Sequence, residues 1–324
     1  MSKRFLLTTV SALAVSAFQA LPVLPASAAD MPPPGMSYKA PAPAVPPDTW
    51  TWWVEGGAQG VSGGLPYVPN MTPAFATPRP GWGWDAAGGF DYRFAGPWHI
   101  LGDFRYGQNR SRTGSSNPLF STSSVTFVGA NSATRREYNW NADFMVGRDI
   151  GIGSDAQLDF GVRVAEIHGA TSGLAQWNAV TSSGPVHLSD AYQQSSNFLG
   201  AGPRVAVQGS IPFASAWSID YEAGAAGLAS QTSLAQTIQA SPSFLPLLCT
   251  VSCPVAVSST KTTMVFNTDG TLGLSYAVTP NAKLSIDYHV DAYFDALPVV
   301  NSAGNVTNAN RIYQGPSLRL TYKY

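Results

Sequence analysis

The sequence predicts an all-β fold: a closed antiparallel barrel of ten strands that crosses a membrane. Three observations predict it. Apolar residues recur at every second position in ten segments between Trp50 and Tyr324, which is the period of a strand presenting alternate side chains to two faces. The charged residues inside those segments keep to the opposite parity. Short connections alternate with long ones rich in Gly, Ser, Thr, Asn and Pro, as in outer-membrane barrels with tight turns on one rim and longer loops on the other.

The apolar parity runs as follows along the chain. The first segment has Trp50, Trp52 and Val54, and the second Trp84, Ala86, Phe90, Tyr92 and Phe94. Trp98, Ile100, Phe104 and Tyr106 mark the third; Tyr138, Trp140, Phe144 and Val146 the fourth; Leu158, Phe160, Val162 and Val164 the fifth. Leu199, Ala201, Val205 and Val207 give the sixth, and Trp217, Ile219, Tyr221 and Ala223 the seventh. Met264, Phe266, Leu272, Leu274 and Tyr276 form the eighth, and Leu284, Ile286, Tyr288, Val290 and Phe294 the ninth. Leu318, Leu320, Tyr322 and Tyr324 close the chain. A strand of about 9–11 residues crosses a bilayer, and each segment reaches that length. One or two of the loops also read as holding extra strands, Thr171–Val180 for example, so twelve is the fallback count.

Charge on the other parity gives the predicted lumen lining. It comprises Glu55, Asp85, Asp91, Arg93, Asp103, Arg105, Asp143, Asp159, Arg163, Arg204, Asp220, Glu222, Asp269, Lys283, Asp287, Asp291, Arg319 and Lys323, with His289 beside them. Eleven of these are acids and seven are Lys or Arg, an imbalance that biases a water-filled bore mildly toward cations. Small barrels also fill their interiors with side chains, so internal salt bridges are the competing reading.

The short turns are Ala95–Pro97, Asp149–Asp155, Ile211–Ala216 and Thr279–Ala282; the long stretches lie around 58–83, 109–137, 166–197, 229–262 and 295–311. Trp50, Trp52, Tyr92, Phe94, Trp98, Trp217, Tyr276, Tyr322 and Tyr324 gather toward the short-turn rim, where an interfacial belt places amphipathic rings. An even strand count brings both chain ends to that rim. Pro203 removes a ladder donor in mid-strand and predicts a bulge or bend there.

Composition narrows the class. Of 324 residues only 11% are charged, against about 25% in an ordinary soluble domain. Lys and Arg number 18, Asp and Glu 19, and no basic cluster appears, which excludes a basic nucleic-acid binder. At the N-terminus Lys3 and Arg4 precede the apolar run Phe5–Phe18, and Ala26-Ser27-Ala28 has the small-x-small pattern of a signal-peptide cleavage site. Residues 1–29 therefore read as a signal peptide, with a run shorter than the ~20 residues of a spanning helix. Residues 30–49 read as a periplasmic leader, since seven prolines between Asp30 and Asp48 favour extended polyproline II over a packed core. Residues 50–324 are the barrel, in the outer membrane of a Gram-negative cell.

Three pieces carry a family resemblance: Gly200-Ala-Gly-Pro-Arg204, Gly81-Trp-Gly-Trp-Asp-Ala-Ala-Gly-Gly-Phe90, and the final Leu318-Arg-Leu-Thr-Tyr-Lys-Tyr324. They are similar to the Legionella-type major outer-membrane protein family of pore-forming barrels. The Pro-rich leader also resembles those of many alphaproteobacterial outer-membrane proteins. The resemblance implies a passive pore. It also implies that the assembly machinery reads the last strand, although such barrels usually finish in Phe and this chain finishes in Tyr324.

The chemistry of sites adds little. Asp287-Tyr288-His289 puts an acid and a histidine on the inward face of one strand, an arrangement similar to the Asp-x-His of ten-stranded omptin proteases. The matching Asp-x-Asp is missing; Asp103 and Asp143 stand singly, and general-base chemistry needs partners in reach. Cys249 and Cys253 are a candidate disulfide in a long loop, since an oxidising compartment favours a staple. His99, His168, His187 and His289 have no metal-ligand spacing, and no cofactor motif appears. The expected function is a porin-like barrel passing small hydrophilic solutes or ions with mild cation preference, and not an enzyme. The alternatives are a non-conducting structural or adhesive barrel using its loops and, remotely, an omptin-like protease. Expected partners are outer-membrane lipid, the assembly machinery and a second copy of the chain, with no nucleic acid.

Overall fold

The computed structural model describes residues 49–63, 81–121, 126–150, 156–181, 184–239, 256–300 and 305–324. The signal-peptide and leader expectations over 1–48, and the Cys249–Cys253 staple, lie outside these residues.

Ten strands form one closed sheet, each antiparallel to its sequence neighbour, with the first strand paired to the last. They are β1 (Thr49–Gly63), β2 (Trp82–Ala95), β3 (Trp98–Ser121), β4 (Thr126–Asp149), β5 (Gln157–Thr181), β6 (Gly184–Pro212), β7 (Trp217–Gln239), β8 (Ala256–Thr279), β9 (Ala282–Val300) and β10 (Val306–Lys323). Closure is needed because hydrocarbon offers no partner to an open edge. It is sealed where Trp50 N–H donates to Tyr324 O at 3.1 Å and Tyr324 N–H donates to Trp50 O at 2.7 Å. β1 starts at Thr49, one residue inside the expected leader.

The orientation of the two faces is as the alternation predicts. None of the apolar residues assigned to the greasy parity is buried; Ile286 is 65% exposed and Phe144 55%. The opposite parity holds buried Glu55, Asp143, Asp159, Arg163 and Arg204. In a soluble sandwich the tryptophans and leucines would be the dry centre. Here they face outward, the arrangement lipid requires.

The aromatics form two girdles. Near the short turns, Trp50 stacks on Trp52 and on Tyr92, Tyr92 on Phe94, and Trp217 packs against Tyr276. Higher up, Trp84, Tyr106, Tyr138 and His168 make a chain of ring contacts across β2 to β5. From Trp98 to Tyr106 on β3 is about 27 Å of strand, or about 19 Å of height at the usual tilt.

Three expectations are corrected. Much of what reads as long loop is strand: β3, β4, β5, β6, β7 and β8 run for 23 to 29 residues. Above the girdle the outer face meets water, so Ser, Thr, Asn and Gln occupy both parities and the apolar signal fades while the ladder continues. Thr171–Val180 is the upper part of β5, not an added strand, so the count stays at ten. Pro203 produces no bulge. The β6–β7 ladder skips residues 202 and 203 and resumes in the same register, Ala201↔Ala229 and Arg204↔Ala226.

One strand leaves the wall. The β8–β9 ladder ends at Phe266↔Phe294. Asp295 then adopts a left-handed φ of 56°, and opposite it the β9–β10 ladder shifts register between Ala309 and Arg311. Asp295 N–H donates to Asn310 Oδ1 at 2.9 Å, tying the two irregularities together. Bulge and kink bend the hairpin. Beyond it Ala296, Leu297, Val299 and Val300 are buried, and β9 touches β6 and β7 across the bore.

Candidate functional site

The interior is the candidate site, and it is built in three levels from the short-turn rim upward. At the lowest level Lys283 pairs with Asp220 at 2.7 Å, and Ser210 donates to the same carboxylate at 2.7 Å. Arg93 reaches Asp149 at 2.8 Å and lies 4.0 Å from Asp91. His99 Nε2 and Asp159 Oδ1 meet at 2.8 Å with both side chains fully buried, and Gln208 donates to Asp159 at 3.0 Å. Gly147 makes room for this pair: a Cβ there would fall 1.8 Å from Asp159 Oδ1 and 2.2 Å from His99 Nε2.

The middle level contains two guanidinium-centred networks. On one side Arg105 holds Glu55 at 2.8 Å and also Asp85; Arg319 holds Glu55 at 2.7 Å and Asp287 at 3.3 Å. Arg319 also lies over the Trp53 ring, 4.5 Å from its centroid. On the other side Arg163 makes a forked pair with Asp143, reaches Asp269 at 2.8 Å, and lies 3.8 Å from Asp291. Arg204 spans Glu222 at 2.9 Å, Asp143 at 3.4 Å and Asp269. Asn141 and Asn267 donate to Asp291 at 3.0 and 2.6 Å. The forks match carboxylate geometry, so each buried charge is met by charge-assisted hydrogen bonds.

At the upper level Glu137 accepts from Tyr313 at 2.8 Å, lies 3.2 Å from Arg311, and pairs with Arg135. Beside it Ile167, Phe198, Leu228, Val265, Tyr293 and Leu297 form an apolar core inside the barrel. Phe198 and Tyr293 meet edge to face at 5.8 Å. Three interior cavities lined by described residues differ in size with height. A cavity of about 470 Å³ opens at the short-turn rim between Asp91, Asp103, Asp220 and Arg319; about 50 Å³ remains between the middle networks, and about 10 Å³ beside Glu137. The last holds one water at most.

The structure thus gathers most of the expected lining into ion pairs and leaves others apart. Asp103 faces Asp143 across β3 and β4 and borders the two lower cavities. Lys323 lies exposed at the rim. Asp287 and His289 do not act on each other: Arg319 takes the first, while His289 lies 3.6 Å from Asp85 and 3.5 Å from Arg105. Glu55, Asp85 and His289 bring three donor atoms within 4.8 Å, a cluster the sequence hides by spreading it over three strands. Arg105 and Arg319 already engage Glu55 and Asp85, so a cation there would sit beside two guanidinium groups. Arg135, Glu137 and Arg311 were missed because they lie in stretches read as loop. Charge falls on both parities there, as in Arg135-Arg136-Glu137, so alternation gives no signal.

With the geometry in place, a sequence-family model described as Legionella pneumophila major outer membrane protein precursor matches residues 61–324. The chain belongs to that family. The match runs from within β1 to the last residue, so the family and the barrel coincide. No curated protein matches the chain. Among solved structures, the outer membrane protease OmpT from Escherichia coli is similar at 11% identity and a TM-score of 0.36, covering 86% of this chain and 97% of that one. The translocator domain of the autotransporter NalP from Neisseria meningitidis is similar at 13% identity and a TM-score of 0.35, over 84% and 88%. Ail, the attachment invasion locus protein of Yersinia pestis, is similar at 10% identity and a TM-score of 0.24, over 85% and 98%. The family places the chain among outer-membrane proteins, with its greasy belt in the lipid.

Proposed function

We propose that this family member is a non-conducting outer-membrane barrel that holds an extended sheet rim and its loops beyond the lipid as a contact surface. One observation carries the reading: the bore is filled, below by guanidinium–carboxylate networks and above by the Phe198–Tyr293–Leu297 core. A solute would have to break several buried charge pairs and an apolar plug to pass. The strands support the display role, since β5 and β6 run for 25 and 29 residues where about 9–11 suffice to cross. We further propose export by the cleaved signal peptide, membrane assembly read through the strand ending in Tyr324, and no enzymatic reaction.

The porin-like reading retains one specific support. The 470 Å³ cavity at the short-turn rim is lined by Asp91, Asp103, Asp220, Glu222 and Asp287 against Arg93, Lys283, Arg319 and Lys323, a mild acidic excess that would favour cations. Purified barrel in a planar bilayer under a potassium chloride gradient separates the two. A flat current supports the sealed barrel. Discrete steps with a cation-directed reversal potential overturn it in favour of the pore.

A further inference from the structure

The outward surface carries a charge pattern that the filled bore does not use. On β3 the outward positions above Tyr106 are Gln108, Arg110 and Arg112, and on β4 the outward position above Tyr138 is Arg136. Arg110 and Arg136 are direct cross-strand partners, and Arg112 lies opposite Thr134, one outward row higher. All three are exposed. Like charges directly opposite one another destabilise a sheet, and none of the three has an acidic partner among the described residues. The nearby outward acid, Glu166, is engaged lower down by Trp140 Nε1 at 2.8 Å and faces Trp140, two rows below the Arg136↔Ala170 pair.

Their height identifies what they meet. Arg136 is two residues above Tyr138, a member of the upper girdle, which is about 7 Å of strand and about 5 Å of height at the usual tilt. Headgroups begin where such a girdle ends, in a layer about 7 Å deep. In that layer on the far side from the short turns, the outer membrane presents phosphorylated glycolipid. Guanidinium groups bind phosphate bidentately.

We propose that the outer face of β3 and β4 is a binding site for the phosphorylated headgroup of an outer-leaflet glycolipid, held by Arg110, Arg136 and Arg112. The acyl chains then lie along Phe104, Tyr106, Trp140 and Phe144 below. The anion removes the repulsion that the bare pair would suffer.

The test uses folded full-length barrel in nonionic detergent, with bound lipid counted by native mass spectrometry. The probes are diphosphoryl lipid A, the same lipid without its phosphates, and inorganic phosphate. Wild type binds diphosphoryl lipid A, and dephosphorylation weakens binding about tenfold or more, the equivalent of one charged hydrogen bond or two. R110Q/R136Q loses a comparable factor, and R110K/R136K, which keeps the charge but not the fork, falls between it and wild type. Equal binding of the two lipids by wild type overturns the proposal, whatever the variants do. So does unchanged affinity in a folded R110Q/R136Q, or saturation of the site by inorganic phosphate at the same concentration. Conductance is a separate readout, because these outward side chains do not enter the bore.

Discussion

Arg163 and Asp143 face each other on β5 and β4 and meet through two parallel bonds, Nε to Oδ1 at 2.7 Å and Nη2 to Oδ2 at 2.5 Å. The same guanidinium reaches Asn267 at 2.6 Å and Asp269 at 2.8 Å, so one side chain joins β4, β5 and β8 across the bore. Arg163→Met therefore leaves Asp143 and Asp269 to Arg204 alone and takes from Asp291 its neighbouring guanidinium. Removing one member of a buried pair costs about 3–5 kcal/mol, and a urea titration of the lipid-reconstituted barrel, read by the heat-dependent gel shift, should show a loss of that size. Asp143→Asn should cost less, because Asp269 still holds Arg163.

Phe144→Arg tests the lipid-facing assignment. This ring is 55% exposed and sits between Trp140 and Val146 on the greasy parity. An arginine near the middle of a lipid-facing band costs about 2–4 kcal/mol. Refolding equilibria in lipid vesicles should show that penalty, whereas Arg136→Phe, above the girdle, should show little.

Gly147→Ala should disrupt the lowest interior level. A methyl there would overlap both Asp159 and His99, and the fully buried pair would have to part. The imidazole Nε2 resonance of His99 should then lose the signature of its carboxylate bond, with a stability loss of about 1–3 kcal/mol for the unsatisfied groups.

Asp295 gives a backbone test. At φ 56° aspartate is tolerated and glycine is at ease, while a β-branched side chain is strained. Asp295→Gly should leave stability within about 1 kcal/mol, and Asp295→Val should lower it by about 1–3 kcal/mol. Limited proteolysis of the hairpin should rise in the valine variant alone.

The fold was legible because lipid imposes a strict rule on one face. Wherever the outer surface is oily, from Trp98 to Tyr106 or Phe160 to Val164, parity alone separates outside from inside. Above Tyr138 that rule lapses, and Arg135 and Glu137 could not be told from loop residues although the ladder runs on through them. The interior lining was legible as a set of charges, but not its pairing. Nothing in the spacing of Arg105 and Glu55 says that they meet, since the contact depends on the stagger with which the sheet closes. The inward bend at Asp295 was also invisible: it needs a left-handed aspartate and a bulge opposite it, and neither leaves a mark on periodicity.

That bend has a geometric consequence for β8. Its residues 256–265 pair with β7 on one side and have no ladder partner in β9, because the hairpin that would have lain alongside has turned into the bore. The barrel fills part of its interior with a piece taken from its own wall. Plugged bore and continuous palisade are thus mutually exclusive in this chain: straightening the hairpin to zip up the notch would withdraw Ala296 and Leu297 from the stopper.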